Sequence, residues 1–299
     1  MTALSAILLL ALAPVLAEAQ SLEPRLYVPL PTGRNMIVPS YAYSSGDVIV
    51  DGTLPIKDFR TTSNGTTLAY VRTFGLFGRS AQVQAVTQYV SGTARGVVAG
   101  RDTSRELRGF ADPQLRLAVN LAGGPARRRA ELAGVRFGTI IGSSVTVVLP
   151  LGHYDHDRYL NVGANRWALK PELGVVQPLW PGWVVEGYVG VWLFGHNAEF
   201  LDTSTVTQDP LWTFQGHVIH LFGRQGWLAA DATLVRGGST FVDGTLQNTY
   251  QSNVRLGATA GWLLGGGHTL RAAVSDGVYT RLGGDYLLVS VGYSYAWGG

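Results

Sequence analysis

No cysteine occurs in the 299 residues, which removes disulfide scaffolds, thiolate catalysis and cysteine-ligated metals from consideration. Charge is scarce as well. Asp, Glu, Lys and Arg make up 14% of the chain, against about a quarter in an ordinary soluble domain, too few to clothe a water-exposed surface of this size. No basic run is long enough for a nucleic-acid footprint, and the nearest cluster, Arg127-Arg128-Arg129, reads as a solvated turn or helix. Long apolar runs are missing too. The one candidate, Ala6–Ala17 (AILLLALAPVLA), falls short of the roughly 18 residues that a membrane helix needs. Followed by Ala17-Glu18-Ala19, it has the form of a secretory signal cut after Ala19, although no Lys or Arg precedes it. Residues 1–19 are therefore expected to be a signal peptide, and a cysteine-free chain suits an oxidising compartment.

What is abundant is glycine, 39 residues, together with 8 Trp and 13 Tyr. Segments of about ten residues with period two recur between Gly, Pro, Asn or Asp boundaries. They begin near Asn35, Gly65, Arg79, Pro113, Thr139, Arg166, Trp183, Leu211, Trp227, Asn253, His268 and Asp285. The faces separate cleanly. Trp183, Val185, Val189, Val191 and Leu193 oppose Glu186, and Leu115, Leu117, Val119 and Leu121 oppose Gln114, Arg116 and Asn120. A Lys or Arg facing lipid at mid-bilayer costs about 2–4 kcal/mol, so this segregation is what a barrel wall demands. In a soluble sandwich the second face would carry many charges, whereas here it is mostly Gly, Ser, Thr, Ala, Asn and Gln. The pattern predicts an all-β fold: a closed antiparallel transmembrane barrel of about twelve strands over residues 35–297. Residues 20–34 precede it, either as a plug in the lumen or as a periplasmic lead-in.

Link lengths alternate as such a barrel requires. Ser45–Asn64, Arg95–Asp112, Leu151–Asn165, Gly195–Pro210 and Gly237–Ser252 are long, while Phe74–Gly78, Pro178–Gly182, Gly223–Gly226 and Gly265–Gly267 are short. Ala122–Phe137 breaks the rule and is expected to hold a short helix. Trp167, Trp180, Trp183, Trp212, Trp227, Trp262 and Trp297 lie mostly at strand ends, where interfacial girdles sit. The last strand, Val289 to Trp297, sets aromatic residues on one face and small ones on the other. Ser290, Gly292, Tyr295 and Trp297 resemble the C-terminal assembly signal of outer-membrane barrels, which implies the barrel-assembly machinery and outer-membrane lipid as partners. Gly298-Gly299 after the aromatic departs from that pattern.

Arg72–Val83, Ala111–Leu121, Leu149–Leu173, Val185–Phe194, Gln208–Val218 and Arg281–Tyr286 resemble an outer-membrane transporter family labelled "MetA-pathway of phenol degradation". The resemblance runs from about Leu22 to Trp297. It implies a barrel in a Gram-negative-type outer membrane and a link with aromatic compounds, and it carries no site residues.

The inward charges are Arg116, Lys170, Glu172, Glu186, Asp231, Arg255 and Arg271. A narrow lumen brings them together, either as an ion-pair network that braces it or as a selectivity constriction. Tyr188 and Trp192 share the inward parity of Glu186 and either stack an aromatic solute or fill space. His153, Asp155, His156 and Asp157 could ligate a divalent cation, but a hydrated loop accounts for them as well. The expectation is a passive channel for small solutes, aromatic or hydrophobic ones among them, with no cofactor, no catalytic residues and no nucleic acid as partner. The alternatives are a lipid hydrolase, for which His217 and His220 lack a partner Ser in a recognisable motif, and a non-conducting scaffold.

Overall fold

Alternating faces and tight glycine turns leave the chain one way to satisfy every backbone group in lipid, a sheet closed on itself. A computed structural model describes residues 22–49, 56–98, 100–132, 135, 137–158, 160–223 and 225–299; the expected signal peptide, residues 1–19, lies outside them. Twelve strands form the wall. They are β1 (Arg34–Ile49), β2 (Ile56–Leu76), β3 (Arg79–Val98), β5 (Gln114–Ala122), β6 (Ile140–Val148) and β7 (Ala168–Pro178), followed by β8 (Trp183–Phe194), β11 (Leu211–Phe222), β12 (Gly226–Gly237), β15 (Gln251–Gly265), β16 (His268–Thr280) and β17 (Gly283–Gly298). All pairings are antiparallel between chain neighbours, and β1 closes the ring on β17 from Arg34↔Gly298 to Ile49↔Gly283.

Every strand keeps the expected parity. On β17, Val289, Val291, Tyr293, Tyr295 and Trp297 are exposed on the outside, and so are Leu115, Leu117 and Leu121 on β5. Inside, the polar residues are the buried ones, the inverse of a soluble protein. One end carries both ends of the wall and the tight turns; the β5–β6 link at that end includes α1 (Arg129–Leu132). The other end carries the long connections.

Several of those connections are more ordered than the sequence pattern predicts. β1 and β2 continue their pairing outward, which absorbs most of the Ser45–Asn64 link. β3 pairs with β5 over Ala81–Val86, then continues past it to pair with β4 (Arg101–Phe110). Four short strands, β9 (Asn197–Phe200), β10 (Ser204–Gln208), β13 (Thr240–Val242) and β14 (Thr245–Leu246), build a second sheet over the same end. Runs of two to five residues are too short to register as period two.

Candidate functional site: the lumen and its N-terminal insert

Inward parity converges twelve strands on one narrow space, and its contents lie in layers. Toward the long-loop end an apolar belt joins Val148, Ala168, Trp192, Leu211 and Val235, with Phe194 against it. Below it lies a charged ring. Toward the short-turn end a second apolar group, Ala118, Ile140, Val176 and Tyr188, surrounds Tyr27, which belongs to the segment before the first strand.

Residues 22–33 lie inside the barrel. Arg116 grips the Glu23 carboxylate with both terminal nitrogens, Nη1–Oε1 at 3.0 Å and Nη2–Oε2 at 2.9 Å. Glu186 accepts the Arg25 amide at 2.7 Å, Gln82 donates to the Leu26 carbonyl at 3.0 Å, and Arg271 donates to the Leu22 carbonyl at 3.2 Å. The Tyr27 hydroxyl donates to Glu172 and accepts from Ser144, each at 3.1 Å. Its ring needs the paired glycines Gly142 and Gly174, since a Cβ on either would overlap ring carbons. Tyr188 meets the ring edge-on at 5.1 Å. Burial works against the Glu23 carboxylate, but Arg116, backed by Lys170 and Arg271, holds its pKa down to about 2. Burial, then the Glu172 carboxylate, pushes the Tyr27 phenol up, while Arg116 acts in the opposite sense. The segment leaves the lumen at Thr73, whose carbonyl accepts the Gly33 amide at 2.9 Å and whose hydroxyl accepts the Arg34 amide at 3.0 Å.

The wall charges pair as a buried network must. Lys170 bonds Glu172 at 2.7 Å over Gly190, where a larger residue would press on the lysine stem. Arg255 donates to Ser275 and to the Tyr286 carbonyl and covers the Tyr286 ring at 4.2 Å. Asp231 accepts from Thr259 at 2.6 Å and pairs with His217 Nδ1 at 2.7 Å. His217 sits directly across the β8–β11 register from Glu186, and its ring lies 5.2 Å from Tyr188. Trp192 fills the apolar belt, its ring 5.7 Å from the Lys170 ammonium. Arg271 alone among the expected inward charges stays exposed, at the open short-turn end.

One aromatic assignment is corrected. Trp227 is not in the outer girdle but faces the lumen, with the parity of Asp231. Its ring lies over Gly261, with the Arg25 and Arg271 guanidinium groups 5.6 and 5.9 Å from its centre. The other six named Trp residues are outside and exposed. His220 points outward, its ring tilted against Trp183 at 4.6 Å and edge-on to Phe222 at 4.8 Å.

At the long-loop end the loops are tied together. The Asp112 carboxylate accepts the Gly152 and Ala164 amides at 2.8 and 2.7 Å, and burial raises its pKa despite both bonds. Arg166, lowered by burial to about 10, lies 4.7 Å over Phe194. His153 turns to Asp155 and His156 to Glu199, so these residues diverge. Among the described residues no three His, Asp or Glu side chains gather as metal ligands, and Asp157 joins none. The loop spends these side chains on pairs rather than gathering them on one point. Sequence parity could not choose between a plug and a lead-in for this segment, since residues 22–33 have no period. The signal available was its pattern of three prolines, an acid and an aromatic directly before a membrane strand.

A family model described as "Putative MetA-pathway of phenol degradation" matches residues 42–290. Among solved structures the chain is similar to an outer membrane channel from Pseudomonas putida F1, with 21% identity and a TM-score of 0.77, covering 93% of this chain and 100% of that one. It is similar to the beta domain of a Bordetella autotransporter at 15% identity and a TM-score of 0.53, covering 89% and 100% of the two chains. The transport unit of the autotransporter AIDA-I from Escherichia coli follows at 10% identity and 0.52, covering 96% of each. These likenesses establish the fold, a closed barrel of the outer-membrane kind. No curated protein matches the chain in sequence.

Proposed function

The chain belongs to the "MetA-pathway of phenol degradation" family, and from that premise we propose that it is an outer-membrane channel for passive passage of small aromatic compounds. The short turns and the termini then face the periplasm and the long loops face outward, the orientation usual for such barrels. Export by the signal at residues 1–19, insertion by the assembly machinery through the last strand and a lipid-facing belt complete this reading.

One observation carries it. The twelve-strand ring is closed by β1 and β17 and owes none of its ladder to residues 22–33. That segment holds on by side-chain bonds and a few single amide contacts, so it leaves without opening a strand pair. Behind it the lumen offers Trp192 and Trp227 beside cations and Tyr188 beside the His217 ring, a lining that suits aromatic rings with polar substituents. A channel that holds its solute weakly lets it go, and no cofactor enters. The P. putida neighbour is itself described as an outer membrane channel.

Planar-bilayer recordings test this. The purified full chain should give small or rare conductance steps, and Glu23→Ala with Tyr27→Ala should make them larger or more frequent. Absence of conductance in both proteins, each shown to be folded by its heat-modifiable gel migration, would make the barrel a scaffold.

A further inference from the structure

The insert does more than obstruct; its two anchoring side chains present chemistry of their own. Glu23 offers a carboxylate and Tyr27 a phenol ring, and the wall answers each with a shaped receptor. Arg116 supplies a two-pronged grip on the carboxylate, the geometry that guanidinium groups give to carboxylates generally. Gly142 and Gly174 supply a flat recess for the ring, Tyr188 closes it edge-on, and Ser144 with Glu172 takes the hydroxyl.

The two receptors adjoin. Arg116 Nε donates to Thr146 at 2.9 Å, and Thr146 stands two residues from Ser144 on the inner face of the same strand. Along β6 the ring recess at Gly142, the hydroxyl partner Ser144 and the guanidinium partner Thr146 follow in that order, so both polar receptors lie beyond one edge of the ring and suit a hydroxyl and a carboxylate on neighbouring ring carbons. The charge balance favours an acid. Without Glu23, Arg116 loses the one carboxylate within ion-pair distance among the described residues, and Arg271 also loses a nearby anion. A desolvated guanidinium left without its anion is costly, so an incoming carboxylate gains what Glu23 gives up.

Resting on the channel reading above, we infer that this lumen site takes aromatic carboxylates, of the hydroxybenzoate type, and that residues 22–33 occupy it as a built-in mimic of the solute. A solute with both groups competes with Glu23 and Tyr27 and so loosens the segment that bars its own path. A neutral aromatic has the recess without the grip, and a simple acid has the grip without the recess.

Calorimetric titration of detergent-folded full chain with 2-hydroxybenzoate, 2-hydroxybenzyl alcohol and acetate decides it. The acid should bind Glu23→Ala/Tyr27→Ala at least about tenfold more tightly than it binds the unaltered protein, since the competitor is gone. In that variant the acid should also exceed the alcohol and acetate by about tenfold or more. Adding Arg116→Gln should bring acid and alcohol level while the barrel stays heat-modifiable. Equal binding of acid and alcohol to the double variant, or no gain on removing Glu23 and Tyr27, overturns the inference. Conductance is read separately on the same proteins. Loss of acid preference in a conducting barrel refutes the site alone, whereas acid-selective binding without conductance refutes the channel alone.

Discussion

Gly142→Ala should unseat the insert while leaving the barrel sound. Gly142 adopts a backbone conformation open to any residue and pairs with Gly174, so alanine suits the strand and removes the entropic cost of glycine there, about 0.5–1 kcal/mol. Its new methyl group, however, would fall inside the Tyr27 ring, against the ~3.5–4.0 Å of ordinary carbon contact. Wall strands laddered on both sides yield less than a ring held by side-chain contacts alone, so the strain goes to the segment. Overpacking of this kind costs about 1–3 kcal/mol, which shifts the ratio of seated to unseated insert by about 5- to 150-fold. The assay follows from composition: with no native cysteine, Val28→Cys reports the segment alone. Labelling of that thiol by a charged maleimide, and the channel's open probability, should both rise within that range. Gly187→Ala, which meets nothing within 4 Å, is the control and should change neither. A Gly142→Ala barrel that folds, labels and conducts like the parent would refute the seating of Tyr27 and the barrier built on it.

Acid should loosen the same segment. Glu23 anchors it as a carboxylate, and its pKa of about 2 lies below the ordinary 4.5. The anchoring is therefore complete above pH 4.5 and is lost as pH falls toward 2. Conductance should be flat from pH 8 to 5 and rise below, and Glu23→Gln should remove the rise; a rise of the same size in that variant would put the titrating group elsewhere. For the wall, Lys170→Gln leaves Glu172 buried without its cation, a loss of about 3–5 kcal/mol for a dry pair, and should draw the pore toward cations. Glu172→Gln should shift it toward anions. Reversal potentials across a salt gradient measure both, and unchanged values in a conducting barrel would make the pair a brace only.

The wall was legible because lipid enforces one rule at every second residue. Lys170 and Glu172, or Asn253 and Arg255, could not have been turned outward without a large penalty, so parity alone assigned them. Register was not legible. His217 and Asp231 share the inward face, but that they stand opposite one another depends on where the β11–β12 turn falls. Trp227 misled for the opposite reason: a tryptophan at a strand end suits a girdle, and only Gly261 across the strand makes room for it inside. The insert lay beyond reach of periodicity altogether. Leu22 to Gly33 makes no ladder, and its place is set by the shape of receptors contributed by other strands.

Gly33, in the left-handed region at a φ of 79°, is followed at once by the strand that closes the barrel. An expelled insert therefore never diffuses away; it is fastened to the rim it has just left. A partner on so short a tether returns as though present at millimolar effective concentration. A solute must outcompete a neighbour of that local strength, so a dilute solute passes without effect and a concentrated one does not. Once the solute has moved on, the pore shuts without energy or a second protein, by the return of its own chain.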